Sequence, residues 1–144
     1  MNRLPKTIKL RIGRSERTLR KYRASMARTG LAASFPKCRR DFNAEERQAW
    51  QELRDLLEPA KFITAFDRHP VELLPRLIVR YGRQTADLAD ADEAAAKIIT
   101  PMRRKTFKLI VMLARRLALK VDGFHPRRRP SQRKPRIYRP ERCA

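Results

Sequence analysis

The apolar positions of the chain recur at helical spacing, and the first such pattern lies near the N-terminus. Ser15 and Gly30 bound a segment in which Leu19, Tyr22 and Met26 share one face of a helix. A serine before the first apolar position and a glycine after the last are typical helix ends. A helix is therefore predicted between them.

Two neighbouring segments lack a helical pattern. Residues 1–14 alternate basic and apolar side chains, which is compatible with a short strand, one turn of helix or an unstructured arm. The stretch from Leu31 to Asp41 is interrupted by Pro36, and its composition favours a linker.

A second helix is predicted after Asn43. The sequence Asn43-Ala44-Glu45-Glu46 resembles a capping box with asparagine as the capping residue. Trp50, Leu53 and Leu57 follow at helical spacing, and Pro59 marks the end. This pattern is typical of an amphipathic helix that packs one face against a core.

A third helix is predicted after Thr64, which is the next candidate cap. Proline is tolerated in a first helical turn but costs about 3 kcal/mol in the interior. We therefore expect a short first turn, a main helix from near Pro70 to about Ala91, and a kink at Pro75. The apolar stripe of this helix consists of Leu74, Leu77, Ile78, Tyr81 and Leu88.

The last helix is predicted from Pro101 to Leu119, because Thr100-Pro101 combines a cap with proline at the first helical position. Its apolar residues occupy more than one face, which is typical of a buried helix. In a chain of 144 residues this indicates a subunit interface. The residues predicted to support oligomerisation are Trp50, Leu77, Tyr81, Phe107, Ile110, Val111, Leu113 and Leu117.

Charge divides the chain into three parts. The net charge is +21, of which residues 1–42 carry +11, residues 43–124 carry +3 and residues 125–144 carry +7. We therefore predict an all-α fold with a basic N-terminal nucleic-acid-binding segment and linker (1–42), a core of antiparallel helices that oligomerises (43–124), and a disordered basic Pro/Arg-rich tail (125–144).

The charge excess points to a polyanionic partner. Arginine outnumbers lysine 26 to 10, and its planar guanidinium suits phosphates and bases. An anionic membrane surface would attract the same charge, but no apolar run approaches the roughly 20 residues of a spanning helix. The N-terminus lacks the apolar core of a signal peptide, although an arginine-rich transit peptide stays open.

No enzymatic, cofactor or metal site is predicted. The four glycines form no phosphate-binding loop. His69 and His125 are isolated, and Cys38 and Cys143 are interpreted as free thiols. The acidic cluster Asp87, Asp90, Asp92 and Glu93 resembles a solvated helix end more than convergent metal ligands.

Nucleic-acid binding is predicted mainly for the N-terminal segment. Gly13 to Arg23 resembles the turn and recognition helix of a helix-turn-helix motif, with Ile8 and Ile12 at buried positions. A basic helix that follows phosphates without reading sequence is an equal alternative. The candidate nucleic-acid-binding residues are Lys9, Arg11, Arg14, Arg17, Arg20, Lys21, Arg23, Arg28, Arg127, Arg128 and Arg129.

Four segments of the middle region resemble the small terminase subunit of tailed bacteriophages. They are NAEERQAW at residues 43–50, FITAFDR at 62–68, RKTF at 104–107 and LARRLAL at 113–119. The family pattern is a helix with a central tryptophan, an I-T-x-x-D turn, a long helix and an apolar last helix. The resemblance covers roughly residues 42–121.

This resemblance implies a non-enzymatic role in viral genome packaging in the bacterial host cytoplasm. The expected assembly is a ring of about 8–12 subunits that binds double-stranded viral DNA. The expected partner is the large terminase subunit, which carries the ATPase and nuclease. Two alternatives stay open from the residues alone: a structural RNA-binding protein of ribosomal type, and a helix-turn-helix transcriptional regulator.

Overall fold

The computed structural model describes residues 6–29, 34–61 and 63–123, which form a mostly helical body with one two-stranded sheet. The predicted helical fold class is confirmed, and the sheet is an addition to the all-α expectation. The predicted tail, residues 125–144, lies outside the described residues. In chain order the elements are β1 (Leu10–Ile12), α1 (Glu16–Thr29), α2 (Ala44–Leu57), a 3-10 turn (Ala65–Asp67), α3 (Arg68–Asp90), α4 (Glu93–Arg116) and β2 (Leu119–Val121).

The sheet joins the two ends of the described chain. Strand β1 pairs antiparallel with β2, so that Leu10 faces Val121 and Ile12 faces Leu119. The short strand, one of three alternatives for residues 1–14, is thus the structure that forms at residues 10–12. Because Leu19 is buried in the same core, the N-terminal segment is part of the body and not a detached arm.

Helix α2 confirms the predicted capping box. The Asn43 side chain accepts the backbone N–H of Glu46 at 2.8 Å, and the Glu46 carboxylate accepts the N–H of Asn43 at 3.1 Å. Two of the unpaired donors at the helix start are satisfied in this way. The predicted stripe of Trp50, Leu53 and Leu57 is buried.

Helix α3 begins at Arg68, two residues before the predicted start near Pro70. Before it, one carboxylate oxygen of Asp67 accepts the backbone N–H of Thr64 at 2.8 Å and its hydroxyl at 3.0 Å. Pro70 occupies the first turn, where a backbone N–H would have no helical partner. Pro75 lies inside the continuous helix and is buried.

Helix α4 begins at Glu93, so the predicted start at Thr100-Pro101 is wrong. Asp92 is the N-cap, and its side chain accepts the N–H of Ala95 at 2.8 Å. Of the acidic residues interpreted as a solvated helix end, Asp92 and Glu93 stabilise this helix start, since negative charge is favourable at the positive end of the helix dipole, whereas Asp87 and Asp90 belong to the end of α3. Pro101 lies in the helix interior, and the helix ends at Arg116 instead of Leu119.

Helices α3 and α4 form an antiparallel hairpin because only two residues connect them. Tyr81 packs against Phe107 with ring centroids 5.8 Å apart, and the Arg103 guanidinium lies 5.6 Å from the Tyr81 ring centroid. On the other side of α3, Arg83 pairs with Glu45 at the start of α2 at 3.0 Å. The predicted antiparallel arrangement of the central helices follows from these contacts.

The core of a single chain takes up the residues that were predicted to form a subunit interface. Seven of them are buried between α2, α3, α4 and the sheet, namely Trp50, Leu77, Tyr81, Phe107, Ile110, Leu113 and Leu117, and Val111 is half-buried. Their predicted role in oligomerisation stays a prediction.

Candidate nucleic-acid interface

Helix α1 is held against the body by one apolar and one cationic residue on the same face. Leu19 is buried, and the Arg23 guanidinium donates to the backbone oxygen of Ala60, just beyond the end of α2, at 2.5 Å. Arg23 also lies 3.3 Å from the Glu16 carboxylate. Arg23 therefore positions α1, and its predicted role as a phosphate contact stays a prediction.

The opposite face of α1 is cationic and exposed. Arg17, Arg20, Lys21 and Arg28 fall within an arc of about 100° on the helix, and all four side chains are exposed. Arg20 has a carboxylate nearby, that of Glu16 at 3.7 Å. No ion pair links Arg17, Lys21 or Arg28 to another described residue. We call these four residues the α1 basic face.

The helix-turn-helix interpretation is not supported by the local structure. A helix-turn-helix needs a helix before the turn, whereas the described residues before Gly13 form strand β1 and a non-helical approach to it. Lys9 is exposed in that approach, and its backbone oxygen accepts the N–H of Asp122 at 2.8 Å. The alternative, a basic helix that follows phosphates, stays a proposal.

The turn from β1 into α1 meets the turn from α4 into β2. The N–H of Gly13 donates to the backbone oxygen of Ala118 at 2.8 Å. A Cβ atom on Gly13 would lie 2.6 Å from Cγ of Lys120 and 3.2 Å from that same oxygen. Only glycine allows the two turns to approach this closely.

A groove of about 400 Å³ opens where the two turns meet. Four exposed cationic residues line it, together with the backbone of Gly13. We call it the corner groove. Its cationic residues are Arg11, Arg14, Arg115 and Lys120.

The corner groove concentrates positive charge that the fold compensates only in part. Arg11 and Lys120 lie directly opposite each other across the sheet, and like charges at such positions are destabilising. The Asp122 carboxylate is 2.7 Å from Arg11. Within the described part of the chain, Lys120 and Arg115 make no ion pair. An anion in the groove would relieve this repulsion.

Arg14 connects the corner groove to the α1 basic face. It lies two residues before the first residue of α1, and its guanidinium lies 4.7 Å from the ring centroid of Tyr22. This cation–π contact holds the side chain between the two surfaces. A smaller cavity of about 170 Å³ on the same side is lined by Arg14, Tyr22 and Arg116.

Sequence reasoning found part of this surface and missed the rest. Arg11 and Arg14 were predicted, whereas Arg115, Arg116 and Lys120 were not, because Arg115 and Arg116 lie in the apolar segment assigned to the last helix and Lys120 follows it. The pairing of β1 with β2 joins residues about 110 positions apart, and no local pattern shows it. The predicted contacts Arg127, Arg128 and Arg129 lie outside the described residues.

A separate ion cluster has a structural role. Arg39 pairs with Asp41 at 2.9 Å, and Asp41 also accepts from Arg76 of α3. Hydrogen bonds from Arg39 and Arg76 lower the pKa of the Asp41 carboxyl, against the opposing effect of desolvation. The cluster connects the segment before α2 to α3, and its charged groups pair with one another.

The described residues contain no group of three His, Cys, Asp or Glu that could hold a metal ion. His69 is exposed in the first turn of α3, and Cys38 is a half-buried free thiol. His125 and Cys143 lie beyond the described range. None of the helices in residues 6–29, 34–61 and 63–123 is long and apolar enough to cross a membrane.

Comparison of the chain with protein-family models, with curated proteins and with solved structures found no match.

Proposed function

We propose that this chain binds double-stranded DNA through a continuous cationic surface made of the α1 basic face, Arg14 and the corner groove. The observation that carries the proposal is the convergence of cations from the two ends of the described chain at one groove. Cations that the fold brings together repel one another and lower its stability, and a bound polyanion offsets this repulsion. The phosphate backbone supplies such a charge at regular spacing, and each neutralised phosphate releases counterions.

The exposed helix suits a duplex. An α-helix fits the major groove of B-DNA, and the long cationic side chains of α1 reach phosphates on either side of it. The corner groove is small and holds four cationic residues, which suits one or two backbone phosphates. In this arrangement the contacts determine position on the duplex and carry no base sequence.

We further propose a role as the small terminase subunit of a tailed phage, which binds viral DNA and regulates the large subunit without catalysis of its own. This part rests on the four sequence segments that resemble the family, and on the DNA binding proposed above. A ring would have to use exposed surfaces, since the apolar residues first assigned to the interface lie in the core.

Duplex affinity tests the DNA-binding proposal. We expect Arg115→Gln with Lys120→Gln, and separately Arg17→Gln with Lys21→Gln, to weaken binding to a 30-base-pair duplex by at least about 10-fold at 0.1 M salt, because each variant loses about two phosphate contacts. Fluorescence anisotropy measures this.

The matched control is Arg47→Gln with Arg80→Gln, which removes the same charge from exposed positions on α2 and α3. It should stay within about 2-fold of wild type, since these residues lie outside the proposed surface. Equal losses in control and test variants would show that binding depends on net charge alone and would contradict the proposed surface.

Native mass tests the packaging role. Light scattering at high salt, which removes bound nucleic acid, should give a mass of many subunits for a ring. A monomer that prefers structured RNA to duplex DNA would instead support the ribosomal-type alternative. A dimer with tight binding to a short palindrome would support a transcriptional regulator.

A further inference from the structure

Helix α4 carries an exposed apolar stripe that the core does not use. The described residues include six exposed large apolar side chains, and four of them lie on α4: Ile98, Met102, Leu109 and Met112. Between 43% and 65% of each side chain is exposed. Exposed apolar residues are unremarkable when scattered, but a set on one face marks an interaction site. We call these four residues the α4 stripe.

The α4 stripe has the spacing of a helix-packing seam. Its members follow one another at intervals of four, seven and three residues, which is a heptad-type pattern. At about 100° per residue they fall within an arc of about 80°. The core-facing residues Phe107 and Ala114 lie on the other side of the helix. The stripe spans about 21 Å, the length of four turns.

Cations border the stripe, and three of the four make no ion pair with a described residue. Lys97, Arg104 and Lys108 form a row along one edge, and Lys105 lies within the stripe itself. Lys97 pairs with Glu93 at 2.8 Å. The other three make no ion pair with any described residue, so a partner on this face would meet apolar side chains beside positive charge.

The combination of exposed apolar side chains and cations indicates what kind of partner fits this face. We propose that the α4 stripe is a docking site for an acidic amphipathic helix of another protein, with apolar anchors on the stripe and carboxylates against the cationic row. Helix-in-groove recognition uses anchors at such spacings. Met102 and Met112 add flexible side chains that adapt to a partner's surface.

A second copy of the chain fits this face poorly. In a two-fold antiparallel pair, Lys105 would lie close to its own symmetry mate, and Lys97 and Lys108 would meet cations of the other copy. Like charges in contact oppose association. The acidic helix α2 carries no exposed large apolar side chain among its residues, so it lacks anchors for a head-to-tail contact.

Nucleic acid also fits poorly, because phosphates gain nothing from four exposed apolar side chains. This docking site therefore goes beyond the proposed DNA binding and stands on different residues. The two can fail separately: a chain that does not bind DNA could still bind an acidic helix through α4.

The test uses two designed helical peptides of 21 residues and equal composition and charge. In the first, leucines form one stripe and glutamates its border; in the second, the same residues are scrambled so that no stripe forms. We expect the full chain to bind the first at least about 10-fold more tightly by fluorescence anisotropy, since only the first presents anchors. Equal binding of the two peptides would reduce the site to charge attraction and overturn the proposal.

Two variants of the full chain locate the site. Leu109→Ser with Met112→Ser should weaken binding of the striped peptide at least about 10-fold and leave duplex DNA affinity within about 2-fold. The control, Tyr22→Ser with Phe66→Ser, removes exposed apolar side chains elsewhere and should leave peptide binding unchanged.

Three further outcomes would overturn the proposal. They are an equal loss in the control, a loss of DNA affinity that matches the loss of peptide affinity, and dissociation of a native oligomer by the α4 variant, which would assign the face to a second copy. Circular dichroism verifies that each variant is folded.

Discussion

Gly13 is the residue on which the corner groove depends most directly. Its N–H bonds to Ala118, and the space that a side chain would need is occupied by Lys120 and by backbone atoms. Ala118 itself has a φ of 57°, so the facing turn is already in a conformation that costs free energy for a residue with a side chain. The two turns therefore have little freedom to move apart for a side chain at residue 13.

We expect Gly13→Ala to lower the free energy of unfolding by about 1–3 kcal/mol, because the new methyl group overlaps its neighbours. Gly82→Ala is the matched control: nothing lies within 4 Å of the added methyl, and glycine in a helix is less stable than alanine by about 0.5–1 kcal/mol. The control should therefore stabilise α3. Urea denaturation measures the free energy of unfolding of both variants. If Gly13→Ala were no less stable than Gly82→Ala, the two turns would not meet as described.

At the scale of elements, a helix start can be predicted from the sequence when the residues that determine it lie close together in the chain. The start of α2 was predicted correctly because a capping box is contained within four residues. The start of α4 was predicted wrongly, because Thr100-Pro101 has the sequence of a helix start. The helix start is formed instead by the N-cap Asp92 and the alanines that follow it. Packing against α3 stabilises a helix that tolerates an interior proline.

Two substitutions distinguish the observed start of α4 from the predicted one. Asp92→Ala should lower the free energy of unfolding by about 1 kcal/mol, through loss of the N-cap. Pro101→Ala should raise it by about 1–3 kcal/mol, because an interior proline lacks a hydrogen bond and crowds the preceding turn. Both follow from urea denaturation midpoints. A neutral Asp92→Ala together with a destabilising Pro101→Ala would place the helix start at Pro101.

The two strands could not be predicted from a local pattern, because each depends on a segment far away in the chain. The alternation in residues 1–14 left a strand open as one alternative, but a strand needs a partner, and the partner is residues 119–121. Of that segment, Leu119 was assigned to the end of the last helix because it continues the apolar pattern of α4, and Lys120 and Val121 were assigned to no element. The pairing is a long-range event, so Lys120 entered no sequence-based site.

At the scale of the whole molecule, the fold changes how the charge is distributed. The sequence showed a basic N-terminal part and a nearly neutral middle. The structure takes two cations from each and assembles them at the corner groove, beside the α1 basic face. It also leaves the α4 stripe exposed on the helix whose apolar residues occupy more than one face. We propose a different partner for each of these two surfaces.

The salt dependence of duplex binding tests the central claim most directly. The logarithm of the binding constant falls with the logarithm of salt concentration, with a slope of about −0.9 per phosphate neutralised. If the corner groove holds DNA phosphates, Arg115→Gln with Lys120→Gln will make this slope shallower by about 1–2, whereas Arg47→Gln with Arg80→Gln will leave it unchanged. A groove variant with the wild-type slope would contradict the claim that these cations contact the DNA backbone.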